Sequence, residues 1–336
     1  MSEAGFTLRT RLDAERLEDE LLSPGATRST ASLGRAEPEE PDRWRTAFER
    51  DRDRIVHSKA FRRLKHKTQV FINPEDDHFV TRLTHTLQVN QIGGSIARYL
   101  SLNVPLTEAI ALGHDVGHSP FGHIGEEALS EFVDGEWRHS EQSVRIFAVL
   151  EPLNLTNEVL DGIVAHPWKV EVPPSTPEGR IVRFGDRIAY LAHDALDAVR
   201  AGMLTRDDFP SVALETLGEP GREWVEAMIE SVVNESMATG EIAMSQGTLN
   251  VLLDVRAFMF ENVYLRGDAE PQRRRAREII RDLVGYYLEH SHEIPETYRH
   301  HDAETLTQVL DYVSGMTDRY ALRIHDELFR PKLFLS

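Results

Sequence analysis

The sequence predicts an all-α fold from two observations. From Trp44 onward apolar residues recur at three- and four-residue intervals in nearly every segment, and no run sustains the alternation of a half-buried strand. Taken in order, Ile55, Ala60, Phe61 and Leu64 mark one helical face, and Leu83, Leu87, Val89, Ile92, Ile96 and Leu100 mark the next. Val104-Pro105-Leu106-Thr107 opens a further helix, with Thr107 as its expected cap, that ends near His114 and Asp115. Glycines and Pro120 then break the chain, and a helix is expected from about His123, carrying Glu126 and Glu127. His139 opens another, with Ser143, Ile146, Phe147 and Leu150 behind it. Residues 166–180 read as a proline-rich loop long enough for a lid or an oligomer contact. The run IVRFGDRIAYLAHDALDAVRAG is an amphipathic helix on which Asp186, Tyr190, Asp194 and Asp197 recur along one side. Segments 209–239, 244–265, 271–290 and 303–328 again read as helices, and there is no internal repeat.

A chain of 336 residues, 40% of them hydrophobic, can bury a large core. One main domain with appendages is expected. Residues 1–42, poor in apolar side chains and rich in Ser, Pro, Gly and charge, read as a flexible N-terminal segment. Residues 43–200 are the expected core, and 201–336 a helical part that completes it and supplies oligomer contacts. No stretch reaches the roughly 18 apolar residues of a membrane span, and the N-terminus lacks the apolar centre of a signal peptide. A cytoplasmic protein with no membrane partner is expected. A formal charge of −18 disfavours a nucleic-acid partner without excluding a local basic pocket. The run Arg50-Asp51-Arg52-Asp53-Arg54, followed by Arg62, Arg63, Lys65 and Lys67, reads either as an ion-paired helix face or as a basic cluster facing a polyanion.

His85, the pair His114-Asp115, His118 and His123 crowd one short stretch rich in small residues. Imidazole and carboxylate together suit a divalent cation, and the absence of cysteine leaves only His, Asp, Glu and water as ligands. Carboxylates recurring along one side of a helix at 186–197 need partners, and a cation is a good one. Glu126, three residues from His123, shares its helical face.

The order His85, His114-Asp115, Asp186 resembles the H…HD…D signature of the HD-domain metal-dependent phosphohydrolases, and the fold implied is their helical bundle with additional C-terminal helices. More narrowly, the chain is similar to the deoxyguanosinetriphosphate triphosphohydrolase-like (dGTPase-like) enzymes. RDRDRIVHSKAFRRLKHKTQVF at 50–71, TRLTHTLQV at 81–89, HDVGHSPFGHIGEEAL at 114–129, RHSEQS at 138–143, GDRIAYLAHDALDA at 185–198 and GMTDRYA at 315–321 carry that likeness. The resemblance implies hydrolysis of a deoxynucleoside triphosphate to deoxynucleoside and tripolyphosphate. It implies His85, His114, Asp115 and Asp186 as ligands of Mg, Mn or another transition metal such as Fe, Co or Ni. It implies His123 with Glu126 as the catalytic pair, with His118 and His139 lining the same pocket, and Gln69, Arg82, Tyr190 and Asp194 as contacts to sugar or phosphate. Tyr264 and Phe258 are candidates for the side chain that excludes a 2′ hydroxyl, although both read more readily as core aromatics. Asp197 and Glu127 are expected to be structural or solvated. A homo-oligomer is implied and a nucleotide activator is left open. Two other readings stand beside this one: a phosphohydrolase of monophosphates or signalling nucleotides, and a nucleotide sensor without turnover.

Overall fold

The computed structural model describes residues 5–69, 80–265, 270–299 and 303–331. Among them the chain folds as fifteen α-helices joined by turns, with two isolated bridges and no strand. No helix among the described residues is long and apolar enough to cross a membrane. In chain order the helices are α1 (Arg11–Leu21), α2 (Ala47–His57), α3 (Lys59–Arg63), α4 (Arg82–Tyr99), α5 (Val104–Gly113), α6 (His123–Ser130), α7 (His139–Arg145), α8 (Asn157–Ala165), α9 (Pro177–Arg200), α10 (Ser211–Leu217), α11 (Arg222–Thr239), α12 (Gln246–Met259), α13 (Glu270–Glu289), α14 (Thr305–Ser314) and α15 (Asp318–Phe329).

Short polar side chains start α4, α5, α9 and α15, because their oxygens satisfy amide donors left open in the first turn. Thr81 caps α4, Thr176 caps α9 ahead of Pro177, and Thr317 caps α15. For α5 the cap is Asn103, which accepts from the Leu106 amide, and not the expected Thr107, whose hydroxyl bonds back to the Asn103 carbonyl. The expected helix over 303–328 is broken after Ser314. A Cβ on Gly315 would lie 2.8 Å from the Tyr298 hydroxyl and 3.0 Å from the Asp311 carbonyl, so the junction admits only glycine without a shift.

The central layer is α4 packed on α9 and α5, with α2 covering α5 and α8 closing the other side. Gly185 of α9 sits against Gly93 and the Val89 carbonyl of α4, at 3.5 Å from where its Cβ would be. This glycine contact lets the two helices approach closely and brings the start of α4 beside the middle of α9. Helices α10–α12 share this main core through Phe209, Trp224, Met228, Leu252 and Met259. A second core is built from α6 and α13–α15, and includes Phe121, Leu129, Ile280, Leu283 and Val313. A division at residue 200 therefore does not follow the packing.

One expectation is corrected, and one choice between two readings is decided in favour of the ion-paired helix face. The N-terminal segment from Thr10 to Arg35 is bound to the body, with Ala26 and Leu22 at the main core and polar groups making the rest of the attachment. Glu18 accepts from Ser29, Glu178 from Thr27 and Asn103, and Arg35 pairs with the buried Asp51 and donates to the Asn154 carbonyl. The arginines of α2 do not form an open basic surface. Arg50 and Arg54 pair with Glu39, and Arg52 pairs with Asp53 and Glu108, so the face is neutralised by its own carboxylates.

Candidate metal centre and catalytic site

Three elements deliver the core of the site. His85 stands in the first turn of α4, Asp186 on α9, and His114 with Asp115 at the end of α5. His85 Nε2 lies 3.1 Å from Asp186 Oδ1 and 3.8 Å from Asp115 Oδ2. His114 Nδ1 donates to the Ala111 carbonyl at 2.6 Å, because a carbonyl can only accept. Its Nε2 is then a bare lone pair, buried without a hydrogen-bond partner, 3.3 Å from Asp115 Oδ1 and 3.9 Å from Asp186 Oδ1. Acceptors crowded against acceptors in a dry cluster repel unless a proton or cation lies among them. The residues fit a divalent cation: His85, His114 and Asp186 offer ligand atoms within 4.8 Å of one another, and Asp115 adjoins them.

Asp115 is the hub. Its Oδ2 accepts from Arg82 at 2.6 Å, and its Oδ1 faces His118 Nε2 at 3.4 Å and His139 Nε2 at 3.8 Å. Burial alone would raise its carboxyl, but the imidazoles of His114 and His118 and the Arg82 guanidinium hold it well below the usual range. The loop that brings His118 in passes under α7: a Cβ on Gly117 would lie 2.3 Å from the His139 carbonyl and the Ser143 amide. Phe121 and Gly122 then take φ of +63° and +59°, turning the chain into α6.

On α6, Glu126 collects imidazoles. It pairs closely with His118 Nδ1, accepts from His139 Nδ1 at 3.1 Å, and stands 3.6 Å from His123 Nδ1. His118 and His139 stack with centroids 3.8 Å apart. Burial would raise the Glu126 carboxyl, yet His118 and His139 hold it well below its ordinary value. Burial pushes His118 down to about 4, with Arg82 adding to the effect. His139 moves the other way, since Glu126 and Asp115 outweigh its burial. The expected His123–Glu126 pair is thus the loosest of the three, and His123 is 75% exposed at the mouth.

His166 belongs to the same cluster and was not anticipated. It repeats the His114 arrangement at the end of α8, with Nδ1 on the Ile163 carbonyl at 2.8 Å and Nε2 3.3 Å from His139 Nε2. Burial takes it down to about 3, helped by His114 and His139. Its only local signal is a histidine closing an apolar helix just before a proline.

Along α9 the next two turns carry Tyr190 and the buried Asp194. Asp194 accepts from the Tyr264 hydroxyl at 2.8 Å, while the Tyr264 ring, in the π-helical turn after α12, packs against the main core as expected. Phe258 packs on Phe209 in the main core, as its apolar character suggests. Burial lifts Asp194 to about 7 against the opposing Tyr264 hydrogen bond. Arg187 lies over the Trp168 ring at 3.8 Å and beside Tyr190, with Arg256 nearby. The Nε atoms of Arg187 and Arg256 are buried without partners, and neither guanidinium has a carboxylate partner among the described residues. Gln69 also holds a buried, unpartnered Oε1 near Gly122, whereas Arg82 is occupied by Asp115 and the Thr68 carbonyl. Val70 and Phe71 of the KTQVF segment lie outside the described residues. Asp197 accepts from the Val80 amide and pairs with Arg200, and Glu127 pairs with Arg277 on the surface, both structural as expected.

Residues 82–191 match the HD domain family, and residues 242–327 match the phosphohydrolase-associated domain. A deoxyguanosinetriphosphate triphosphohydrolase-like protein from Caldanaerobacter subterraneus subsp. tengcongensis is 47% identical over 335 residues, covering 96% of this chain and 97% of its own. One of the same description from Desulfatibacillum aliphaticivorans is 44% identical, covering 97% and 99%, and one from Clostridium perfringens is 42% identical, covering 98% and 100%. Among solved structures, a hypothetical protein from Aquifex aeolicus aligns with a TM-score of 0.48 at 20% identity, over 84% of this chain and 68% of that one. At such identity along nearly the whole length, the chain belongs to the deoxyguanosinetriphosphate triphosphohydrolase-like family of HD-domain hydrolases.

Proposed function

We propose that this hydrolase cleaves deoxynucleoside triphosphates, dGTP or several dNTPs, into deoxynucleoside and inorganic tripolyphosphate. The observation that carries the reading is the meeting of three chemistries along α9: the His/Asp cluster around Asp186, the unneutralised guanidinium groups of Arg187 and Arg256, and the Asp194–Tyr264 pair. The description shared by the relatives points the same way.

His85, His114, Asp115 and Asp186 would hold the cation, which when bound polarises the α-phosphate and lowers the pKa of an attacking water. Cleavage between the α-phosphorus and the sugar 5′ oxygen expels an alkoxide, which needs a proton. His123, exposed at the mouth and facing Glu126, supplies it. His118 and His139, oriented by Glu126, keep their rings fixed beside the phosphate. Arg187 and Arg256 take the charge of the phosphate tail, and Asp194 accepts from the sugar 3′ hydroxyl. Tyr264, tethered to Asp194, packs where a 2′ hydroxyl would stand.

Arg187→Ala and Arg256→Ala are each expected to raise KM roughly tenfold or more, since a hydrogen bond to a charged group is worth about 1.5–3 kcal/mol. Steady-state kinetics on dNTPs checks this, and unchanged KM in both would remove them from substrate binding. The high value at Asp194 makes a second prediction. Between 3.8, the ordinary value of an aspartate carboxyl, and about 7 only the folded chain keeps this proton, so stability falls as pH rises across that window. Asp194→Asn should flatten that slope in thermal unfolding of metal-free protein.

Product separation by anion exchange, with each dNTP and with GTP in Mg²⁺ or Mn²⁺, tests the reaction. Tripolyphosphate from dNTPs supports the proposal. Orthophosphate or pyrophosphate favours the phosphohydrolase of other nucleotides, and intact dNTPs even in mixtures favour a sensor. Self-association is part of the same proposal: Val212, Met237 and Leu253 are exposed on α10–α12, and light scattering of the purified chain should give a mass above 38.2 kDa.

A further inference from the structure

The GMTD run at 315–318 is distant in sequence from every residue assigned above to metal or substrate, and the proposed reaction gives it no task. Its Asp318 is 3% exposed. One carboxylate oxygen accepts from the Thr68 amide at 3.0 Å and closely from the Thr68 hydroxyl, and the other accepts from the Phe121 amide at 3.0 Å. One turn earlier, the Ser314 carbonyl accepts from the buried Lys67 ammonium at 3.0 Å, and the same ammonium also donates closely to the His118 carbonyl. The junction of α14 and α15 thus grips two strips of chain, Lys67-Thr68 and His118–Phe121.

Each strip leads to the reacting centre. The Thr68 carbonyl accepts from Arg82 Nε at 3.2 Å, and Arg82 passes its other donor to Asp115 Oδ2 at 2.6 Å. The second strip carries His118 and continues through Phe121, at φ +63°, into the helix that bears His123 and Glu126. A bulky residue in the left-handed region costs on the order of 1–3 kcal/mol and persists only where its surroundings fix it. The Asp318 hydrogen bond to the Phe121 amide, with the Phe121 ring in the second core, does so.

We infer that Asp318 and Lys67 are positioning residues through which the C-terminal region orients Asp115, by way of Thr68 and Arg82, and the Glu126 imidazole cluster, by way of the 118–122 turn. The inference rests on the reading of the His/Asp cluster as a metal site. It also gives the phosphohydrolase-associated region, residues 242–327, a task in the chemistry of the HD region. Outer partners of metal ligands commonly change affinity or activity by about 10–100-fold when removed.

The test uses full-length Asp318→Asn, whose amide can still accept from Phe121 but cannot accept twice from Thr68. Thr68→Val, which keeps the backbone donor, is the milder companion. Mn²⁺ affinity is read by calorimetry and turnover with a dNTP mixture. For Asp318→Asn we expect roughly tenfold weaker Mn²⁺ binding and a kcat lower by about 10–100-fold, with KM within about threefold and the circular dichroism spectrum unchanged. Thr68→Val should shift both in the same direction by less, and where Asp318→Asn does not fold, a measurable fall in both Mn²⁺ affinity and kcat for Thr68→Val decides the matter. Folded variants with wild-type Mn²⁺ affinity and kcat overturn the inference and leave the contact a purely structural one. Wild-type protein that binds no Mn²⁺ overturns the metal reading itself, an outcome distinct from variants that match a binding-competent wild type.

Discussion

Asp115→Asn is expected to lower kcat by about 10³-fold or more, because the change removes roughly 4 kcal/mol of transition-state stabilisation. The size follows from the position of one carboxylate between two sets of partners. Asp115 Oδ1 faces three imidazole Nε2 atoms, of His114, His118 and His139, at 3.3, 3.4 and 3.8 Å, while Oδ2 neutralises Arg82. An amide of the same shape has no charge to hold a cation and presents a donor on one side. The buried Arg82 then loses its counter-charge, and breaking a buried pair typically costs about 3–5 kcal/mol. The variant should therefore unfold at lower temperature in metal-free buffer as well as losing activity. Activity within tenfold of wild type would show that Asp115 stands outside the chemistry.

Glu126→Gln carries the second large effect, a fall in kcat of about 10²–10⁴-fold with KM little changed, the usual range for acid–base groups. Glu126 pairs closely with His118 Nδ1, accepts from His139 Nδ1 and faces His123 Nδ1 at 3.6 Å. A glutamine in the same pose has no charge to hold the inner rings, and its NH2 donor replaces the oxygen that faces His139 and His123. Their tautomers and orientation are then released together. His123→Ala should share the loss in kcat through its own proton, whereas a loss seen with Glu126→Gln alone would move the acid to the inner pair. Steady-state kinetics on both variants separates the two.

Much of this was open to reading from the residues because the informative side chains repeat or cluster. Three- and four-residue periodicity from Trp44 onward leaves little room for a sheet, and all-α is what the chain forms. His85, His114, Asp115 and Asp186 could be picked out because they fall in the order that the family shares, and the glycine contact between α4 and α9 brings them into one cluster. What escaped has physical reasons. His166 is a single histidine before a proline, with no ligand spacing beside it, and only the meeting of α8 with α7 places it near His139. Arg187 and Arg256 sit on amphipathic helices where an arginine ordinarily faces water, and their lack of carboxylate partners is visible only in three dimensions. Tyr264 packs against the main core as its helical spacing suggests, and only in three dimensions does its hydroxyl meet Asp194. The N-terminal segment is poor in apolar residues, and compositional reasoning misses it because buried carboxylates such as Glu178 and Asp51 bind it.

The most direct test of the central claim, water attack at the α-phosphorus beside the His/Asp cluster, is hydrolysis of a dNTP in ¹⁸O-labelled water followed by mass analysis of both products. The account predicts the label in a terminal phosphate of tripolyphosphate and an unlabelled deoxynucleoside. Label in orthophosphate, released by attack at the γ-phosphorus, or in the 5′ hydroxyl of the deoxynucleoside, would contradict it.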